Sequence, residues 1–311
     1  MNKIGKIIKH FRNRTVFDRV MQTLRPFWRA KRTAWWNKKI IKKGEIVHKI
    51  YTGVKMFLYD DCLLSEAIFT TGFEQQELKL MTKILRKGDI FLDIGSNYGI
   101  YSLIAARKVC PSGKVYAIEP VAKTFERLER NIKLNKFKNI FPFRLAVSSS
   151  NGTLPMKISQ EGYDAWNSLA KPTRGDNYDI EIVETQRLDD FIQANKLMGK
   201  IKMVKIDVEG WEYEVLNGGL EFFSEQGVLI VQIEFNEDAL QGAGSSSEML
   251  IKKLTSLGYK LYKYDGQKNE FISFIYNNEN LDTNLFATNN LELVNQLVSE
   301  GGNKPLCSSR K

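Results

Sequence analysis

Histidine is nearly missing from this chain. Of 311 residues only two are histidine, His10 and His48, and none follows Tyr51. A Ser-His-Asp hydrolase, a dehydrogenase with a histidine acid–base and a histidine zinc site are thereby excluded from the long segment after Tyr51. Any general base there falls to a carboxylate, with Lys or Tyr as lesser candidates. Cysteine is scarce too: Cys62, Cys110 and Cys307 are odd in number and far apart. They form neither a disulfide framework nor a Cys-x-x-Cys zinc pair, and a reducing cytoplasm is the expected compartment. No apolar run reaches the ~20 residues needed to span a bilayer. No apolar core precedes a small-residue cleavage site. Length alone predicts one large α/β domain with an appendage.

Acidic residues are what the N-terminus lacks. Residues 1–43 carry fourteen Lys and Arg against one acid, Asp18, a local charge of +13. The chain as a whole is +10, so the rest sums to −3. Basicity therefore belongs to an arm, and the expected boundaries are an arm over 1–50, a body over 51–290 and a tail over 291–311. Ile4, Ile7, Ile8 and Phe11 fall at helical spacing between Lys3, Lys6, Lys9 and Arg12, and Phe17, Val20, Met21 and Leu24 continue the pattern. Phe27, Trp28, Trp35 and Trp36 follow among further cations. A cationic amphipathic helix with such aromatics suits an anionic membrane surface, here the inner face of the membrane. The same residues suit docking on the body or a second subunit, and less well the phosphates and bases of a nucleic acid.

The body opens on Phe91-Leu92-Asp93-Ile94-Gly95-Ser96-Asn97-Tyr98-Gly99, with Ile118-Glu119-Pro120 beyond it. Ile90 to Ile94 reads as a buried strand, Gly95 to Gly99 as a turn, Tyr101 to Val109 as a helix and Lys114 to Ile118 as the next strand. Glycine permits positive φ and close approach of a ligand to the backbone. Glu119, ending its strand, is placed to accept ribose hydroxyl hydrogens, as an acid does in dinucleotide sites. The spacing, however, is Asp-x-Gly-x-x-x-Gly and not the Gly-x-Gly-x-x-Gly that seats a pyrophosphate on a helix N-terminus. An acid before the turn repels pyrophosphate and suits the cationic methionine end of S-adenosylmethionine.

Further along, strands alternate with helices: Phe125 to Asn135 as helix, Phe143 to Val147 as the third strand, Met203 to Val208, Trp211 to Phe223 as one helix, Val228 to Phe235, and a hairpin of Tyr259 to Tyr264 with Phe271 to Tyr276. This predicts a mainly parallel seven-stranded Rossmann-like sheet with one antiparallel strand. Ala146 is expected near the adenine. Residues 149–185 read as an insertion over the site with strand-like pieces at Thr153 to Ile158 and Asp179 to Val183. Residues 279–311, rich in Asn and Ser, are expected to pack loosely.

A second constellation, Lys205-Ile206-Asp207-Val208-Glu209-Gly210-Trp211-Glu212, sits where the fourth strand meets its helix. Alternation points Lys205, Asp207 and Glu209 one way at the carboxyl edge of the sheet. Gln232, Glu234 and Asn236 add a polar row to the next strand, and acids in an apolar strand need a reason. A sulfonium donor needs no electrophilic help, but an alcohol acceptor needs a base. Asp207 and Glu209 are the candidates for it. Either serves equally as a contact for the methionine ammonium or the acceptor, and a purely structural Lys205–Asp207 ion pair with Glu209 capping the helix explains the same residues. Asp207, Glu209 and Glu234 also have the chemistry to hold a cation without specifying one, so no metal is expected from sequence. The Asn/Asp-Pro-Pro-Tyr loop used on base amines and a cysteine for attack on a pyrimidine are both missing here, which favours an oxygen acceptor.

With both motifs in hand, the chain resembles the FkbM-type methyltransferase family from about Phe73 to Phe286, through the Asp93–Gly99 loop, Glu119-Pro120, Leu188-Asp189 and Lys205 to Gly210. The resemblance implies a class I methyltransferase fold and S-adenosylmethionine-dependent O-methylation of saccharide or natural-product hydroxyls. It implies cofactor contacts at Asp93, Gly95, Asn97, Gly99 and Glu119, with Ser96 where the family commonly has alanine, and a further contact from Glu74 to the methionine end. The arm lies outside it. Arm and family together predict a saccharide acceptor, lipid-linked in the fullest form of the reading, with an RNA-directed or natural-product methyltransferase as the alternatives.

Overall fold

The computed structural model describes residues 30–38, 40, 43–159, 169, 178–224, 228–277 and 280–301. The chain divides into two compact units, one ending at Ile46 and including Leu58–Phe73, the other made of Val47–Phe57 and everything from Glu74. In the smaller unit residues 30–38 and Leu63–Thr70 are helical. Trp35 stacks on Phe69 with ring centroids 5.1 Å apart, and the Arg32 guanidinium lies 4.8 Å over the same ring. Trp36 also packs on Phe69 and is buried. Two of the arm's aromatics are thus occupied within their own unit. The amphipathic segments before Arg29, and Trp28, lie outside the described residues.

Strands are numbered along the chain. β1 (Glu45–Lys49) and β2 (Lys55–Tyr59) make a two-stranded sheet. The main sheet contains β3 (Ile90–Ile94), β4 (Lys114–Ile118), β5 (Ile140–Phe143), β9 (Ile201–Ile206), β10 (Ile230–Asn236), β11 (Lys260–Asp265), β12 (Glu270–Ser273) and β13 (Asp282–Thr288). Its order is β12-β11-β13-β10-β9-β3-β4-β5. A smaller sheet, ordered β6-β8-β7, holds β6 (Ala146–Ser148), β7 (Gly152–Ser159) and β8 (Tyr178–Arg187).

The predicted sheet is present: β5, β4, β3, β9 and β10 run parallel, and β13 enters antiparallel to β10 and β11. An eighth strand, β12, pairs antiparallel on the outer edge of β11. Central strands read as unbroken apolar runs because both faces are covered. Phe91, Leu92, Ile94, Met203, Val204, Ile206, Val231, Ile233 and Phe235 are all buried. Strand order reverses between β3 and β9, and in such sheets the crevice outside the carboxyl ends at that switch point receives ligands.

Four readings need correction. The third strand ends at Phe143; β6 begins at Ala146 and joins the small sheet, where it runs parallel to β8. The predicted helix Trp211 to Phe223 is two helices, Glu212–Gly218 and Leu220–Ser224. At the break a Cβ on Gly218 would lie 2.0 Å from the Ser148 carbonyl oxygen, and one on Gly219 would strike Leu188. The region from Cys62 to Arg86, which reads in sequence as a strand or turn followed by one helix, holds two helices, Leu63–Thr70 and Gln75–Ile84. Residues 282–300 are not loosely packed. Leu285, Phe286 and Ala287 of β13 are buried, and the helix Leu291–Glu300 buries Val294, Leu297 and Val298. A short continuous buried run, Leu285 to Thr288, carried this segment into the core despite its Asn and Ser content.

Candidate active site

Strand register builds the site's floor. Asp93 pairs with Lys205 across β3 and β9, and Lys205 pairs with Gln232 across β9 and β10. Side chains at paired positions share a face. Three polar residues thus form one row through an apolar layer, with Asp93 and Gln232 fully buried and Lys205 only 4 % exposed. Such groups are costly there unless paired. Ser102 donates to Asp93 Oδ2 at 2.5 Å, while Asp93 Oδ1 is buried without a hydrogen-bond partner. Lys205 Nζ donates to Asp207 Oδ2 at 2.7 Å and lies 4.9 Å over the Tyr101 ring. Burial alone would lower the Lys205 ammonium; Asp207, Asp93 and Glu74 outweigh it and hold it above its ordinary value. Burial pushes the Asp93 carboxyl up against the opposing pull of Lys205.

Glu74 arrives from another direction. It precedes the helix Gln75–Ile84 in a left-handed conformation, φ 43°. Its Oε2 accepts from the Tyr101 hydroxyl at 2.5 Å, and its Oε1 accepts from Asn284 Nδ2 at 2.9 Å. Gln232 Nε2 donates to the same Tyr101 hydroxyl at 2.8 Å. Burial raises the Glu74 carboxyl from 4.5 to about 7, with Lys205 opposing. Tyr101, Ser102 and Asn284 were not singled out from sequence. Tyr101 had a legible signal, a polar aromatic two residues after Gly99, but its partners Glu74 and Gln232 come from before the helix Gln75–Ile84 and from β10.

The glycine loop is held from three sides. Gly95 and Ser96 both donate their N–H to the Ile118 carbonyl, and Ser96 Oγ donates there too at 3.2 Å. Glu119 accepts from the Asn97 N–H at 3.0 Å and the Val121 N–H at 3.1 Å. Asn97 adopts φ 49°, and its Oδ1 accepts from the Tyr98 N–H at 2.7 Å. Gly99 precedes the helix Ile100–Val109 at φ 96°. Gly95 has φ 77°, and a Cβ there would lie 1.8 Å from the Asp207 carbonyl oxygen. This glycine is required by the second motif leaning on the first, a reason the sequence did not reveal. Ala146 packs in a buried cluster with Val121, Met156 and Val183, just past the end of β4.

Beyond the floor lies an acidic group. Oxygen atoms of Asp207, Glu209 and Glu234 fall within 4.8 Å of one another. Glu209 stands at φ 53° and Gly210 at φ 100°, so the chain turns sharply after β9 and swings Glu209 toward β10. Burial, then Asp207 and Glu212, push the Glu209 carboxyl well up; burial, then Asp207 and Glu209, do the same to Glu234. No side chain caps the helix Glu212–Gly218. Glu212 instead ties down the turn before it, its Oε1 accepting from the Val208 N–H at 2.9 Å and the Gly210 N–H at 3.3 Å. The Leu188-Asp189 motif has a similar explanation: Asp189 accepts from the N–H groups of Glu221 and Phe222 and anchors the start of the helix Leu220–Ser224.

The donor set fits a cationic ligand. Asp93, Asp207, Glu74, Glu209 and Glu234 converge around one lysine, and the unpartnered oxygen of Asp93 asks for a donor. Among the described residues no helix is long and apolar enough to cross a membrane.

The family described as Methyltransferase FkbM domain matches residues 93–261. The hexuronic acid methyltransferase AglP of Haloferax volcanii is 29% identical over 168 residues, covering 53% of this chain and 64% of its own length. Methyltransferase sdnD of Sordaria araneosa is 30% identical over 163 residues, covering 43% and 61% respectively. The matches thus span less than two thirds of these relatives. A solved structure of M. jannaschii TYW2 in complex with AdoMet aligns at 16% identity and TM-score 0.40, covering 79% of this chain and 85% of that one.

Proposed function

Because the chain belongs to the FkbM methyltransferase family, and is an S-adenosylmethionine-dependent methyltransferase, we propose that its acceptor is a hydroxyl of a saccharide or glycan. The observation that carries this reading is the carboxylate group at the ends of β9 and β10. An alcohol is a poor nucleophile until a base takes its proton, and efficient bases have a pKa brought toward the working pH. Glu209, its carboxyl raised by burial and by Asp207 and Glu212, is suited to that step. Asp207, tied to Lys205 at 2.7 Å, serves as the positioning group beside it. The relative from Haloferax volcanii carries a sugar acid in its name, which favours a saccharide over other alcohols.

S-adenosylmethionine, when bound, supplies the methyl group on its sulfonium. In this reading Asp93 and Glu74 face its methionine end. Gly95, Ser96, Asn97 and Gly99 shape the turn around it, and Glu119 receives the ribose hydroxyls. Ala146 borders the adenine. A lipid-linked saccharide would give the cationic residues 1–43 an anionic surface to bind, each Lys or Arg adding about 1 kcal/mol.

The test is calorimetry with S-adenosylmethionine, followed by methyl-transfer assays on a panel of uronic-acid and neutral glycans, free and lipid-linked. Cofactor binding with transfer to at least one saccharide hydroxyl is the expected result. Cofactor binding with transfer only to a non-saccharide acceptor would reject the saccharide reading.

A further inference from the structure

We propose that Asp207, Glu209 and Glu234 form a binding site for one divalent cation, which draws the acceptor's oxygen to the carboxyl edge of β9 and β10. The inference rests on the O-methylation reading for the ion's role, with Glu209 binding the ion through one oxygen and using the other to take the acceptor's proton, but the site itself rests on geometry. Three carboxylates each offer an oxygen within 4.8 Å of the others. They come from three differently built positions: the end of β9, the left-handed residue two places on, and the middle of β10. Glu234 pairs in register with Asn284 of β13, which fixes its strand on that side.

A second observation points to a ligand. Glu234 Oε2 is closed to solvent and has no hydrogen-bond partner. Behind it, Glu212 is 1 % exposed, and its Oε2 is likewise unpartnered. Buried acceptors are almost always satisfied, so an exception asks for an ion, a water or a proton. The Lys205 ammonium already contacts Asp207 Oδ2.

The donor chemistry selects the class of ion. All three ligands are carboxylate oxygens, the set preferred by Mg²⁺, Mn²⁺ and Ca²⁺. Zinc in structural or catalytic sites draws on His or Cys, and neither residue type occurs in this group. Three protein oxygens also leave coordination positions for an incoming ligand, since such ions take six or more. A saccharide acceptor offers vicinal hydroxyls, or a hydroxyl and a carboxylate, to those positions. An anionic sugar would otherwise be repelled by this same group, so the ion reconciles acidic site with acidic acceptor.

The test uses the full chain without cofactor. Mn²⁺ is titrated by calorimetry and by the loss of its free-ion paramagnetic resonance signal. The expected result is saturable binding of about one ion, weakened at least about tenfold by Glu234→Gln and by Glu209→Gln, and unaffected by Glu184→Gln on β8. Circular dichroism and S-adenosylmethionine binding show that each variant is folded; Asp207→Asn replaces any variant that is not. No saturable binding up to about 1 mM free Mn²⁺, the weak end of carboxylate sites, would overturn the proposal. So would a folded Glu234→Gln protein that binds like the parent, since the carboxylates would then be sharing protons. If Mn²⁺ binds as expected while no glycan is methylated, the ion site stands and the saccharide reading falls.

Discussion

Replacing Gly95 by alanine tests how the two halves of the site are joined. The new Cβ would start 1.8 Å from the Asp207 carbonyl oxygen. Ordinary contact begins near 3.4 Å, so loop and strand end must part by about 1.6 Å. Two costs follow. Holding a non-glycine residue at the φ of 77° seen for Gly95 costs about 1–2 kcal/mol. Overpacking against backbone adds about 1–3 kcal/mol. Gly199 separates them: it has φ 67°, and a Cβ there meets nothing within 4 Å. Gly199→Ala should therefore show the conformational cost alone, and Gly95→Ala about 1–3 kcal/mol more by urea unfolding. At this chain length each kcal/mol lowers Tm by about 2–4 °C. Moving Asp207 also separates it from Glu209 and Glu234, and a displacement of about 1 Å costs about 100-fold in turnover. If Gly95→Ala matched Gly199→Ala within about 0.5 kcal/mol and kept full activity, the idea that the Asp207 backbone buttresses the loop would be wrong.

Other expectations concern charge. Glu74 is raised from 4.5 to about 7, so between these values the folded protein holds a proton that the unfolded chain has released. Its contribution to stability is therefore greatest below about pH 4.5 and falls as pH rises to about 7. Glu74→Gln should remove that slope, gaining on the parent by about 1–3 kcal/mol between pH 4.5 and 8 once partial exposure is allowed for. Urea unfolding at both pH values checks this, and an unchanged gap would refute the buried-acid account. Glu209→Gln and Asp207→Asn should lower turnover by about 100-fold or more with little change in cofactor affinity, whereas Asp93→Ala should weaken S-adenosylmethionine at least about tenfold. Steady-state kinetics and calorimetry separate the two classes; full turnover in both carboxylate variants would remove the base assignment.

Much of the fold was legible because its signals are local. Ile90 to Ile94 and Met203 to Ile206 are apolar runs bounded by turn residues, and the Asp93–Gly99 loop has a spacing tied to one kind of ligand. What was missed is what distant segments impose. Gly218 and Gly219 split a helix because Ser148 and Leu188 press on them. β13 was hidden in an Asn-rich stretch, since composition masked a buried run only four residues long, Leu285 to Thr288. At the site, Asp207 and Glu209 were named together with the ion pair to Lys205. The positive φ that turns Glu209 toward Glu234 depends on Gly210 fitting under the Ala239 carbonyl, 2.3 Å from where a Cβ would sit. Glu212 was read past because a carboxylate that ties down a turn and a catalytic one look alike in a sequence.

The row of Asp93, Lys205 and Gln232 also bears on how the sheet assembles. Central strands made only of Ile, Val, Leu and Phe have no means of telling one alignment from the next, since any slip by two residues still buries apolar against apolar. In this sheet such a slip of β9 would place the Lys205 ammonium opposite Phe91, away from Asp93, and leave Asp93 without a cation beside it. Each mistake strands a charge in the interior at a cost of several kcal/mol. The residues that make the centre chemically active therefore act as a key for its strands: a misaligned sheet is penalised at the place where misalignment would destroy activity. Exchanging Lys205 for a residue such as Met would relieve a costly burial and blunt that key in the same stroke.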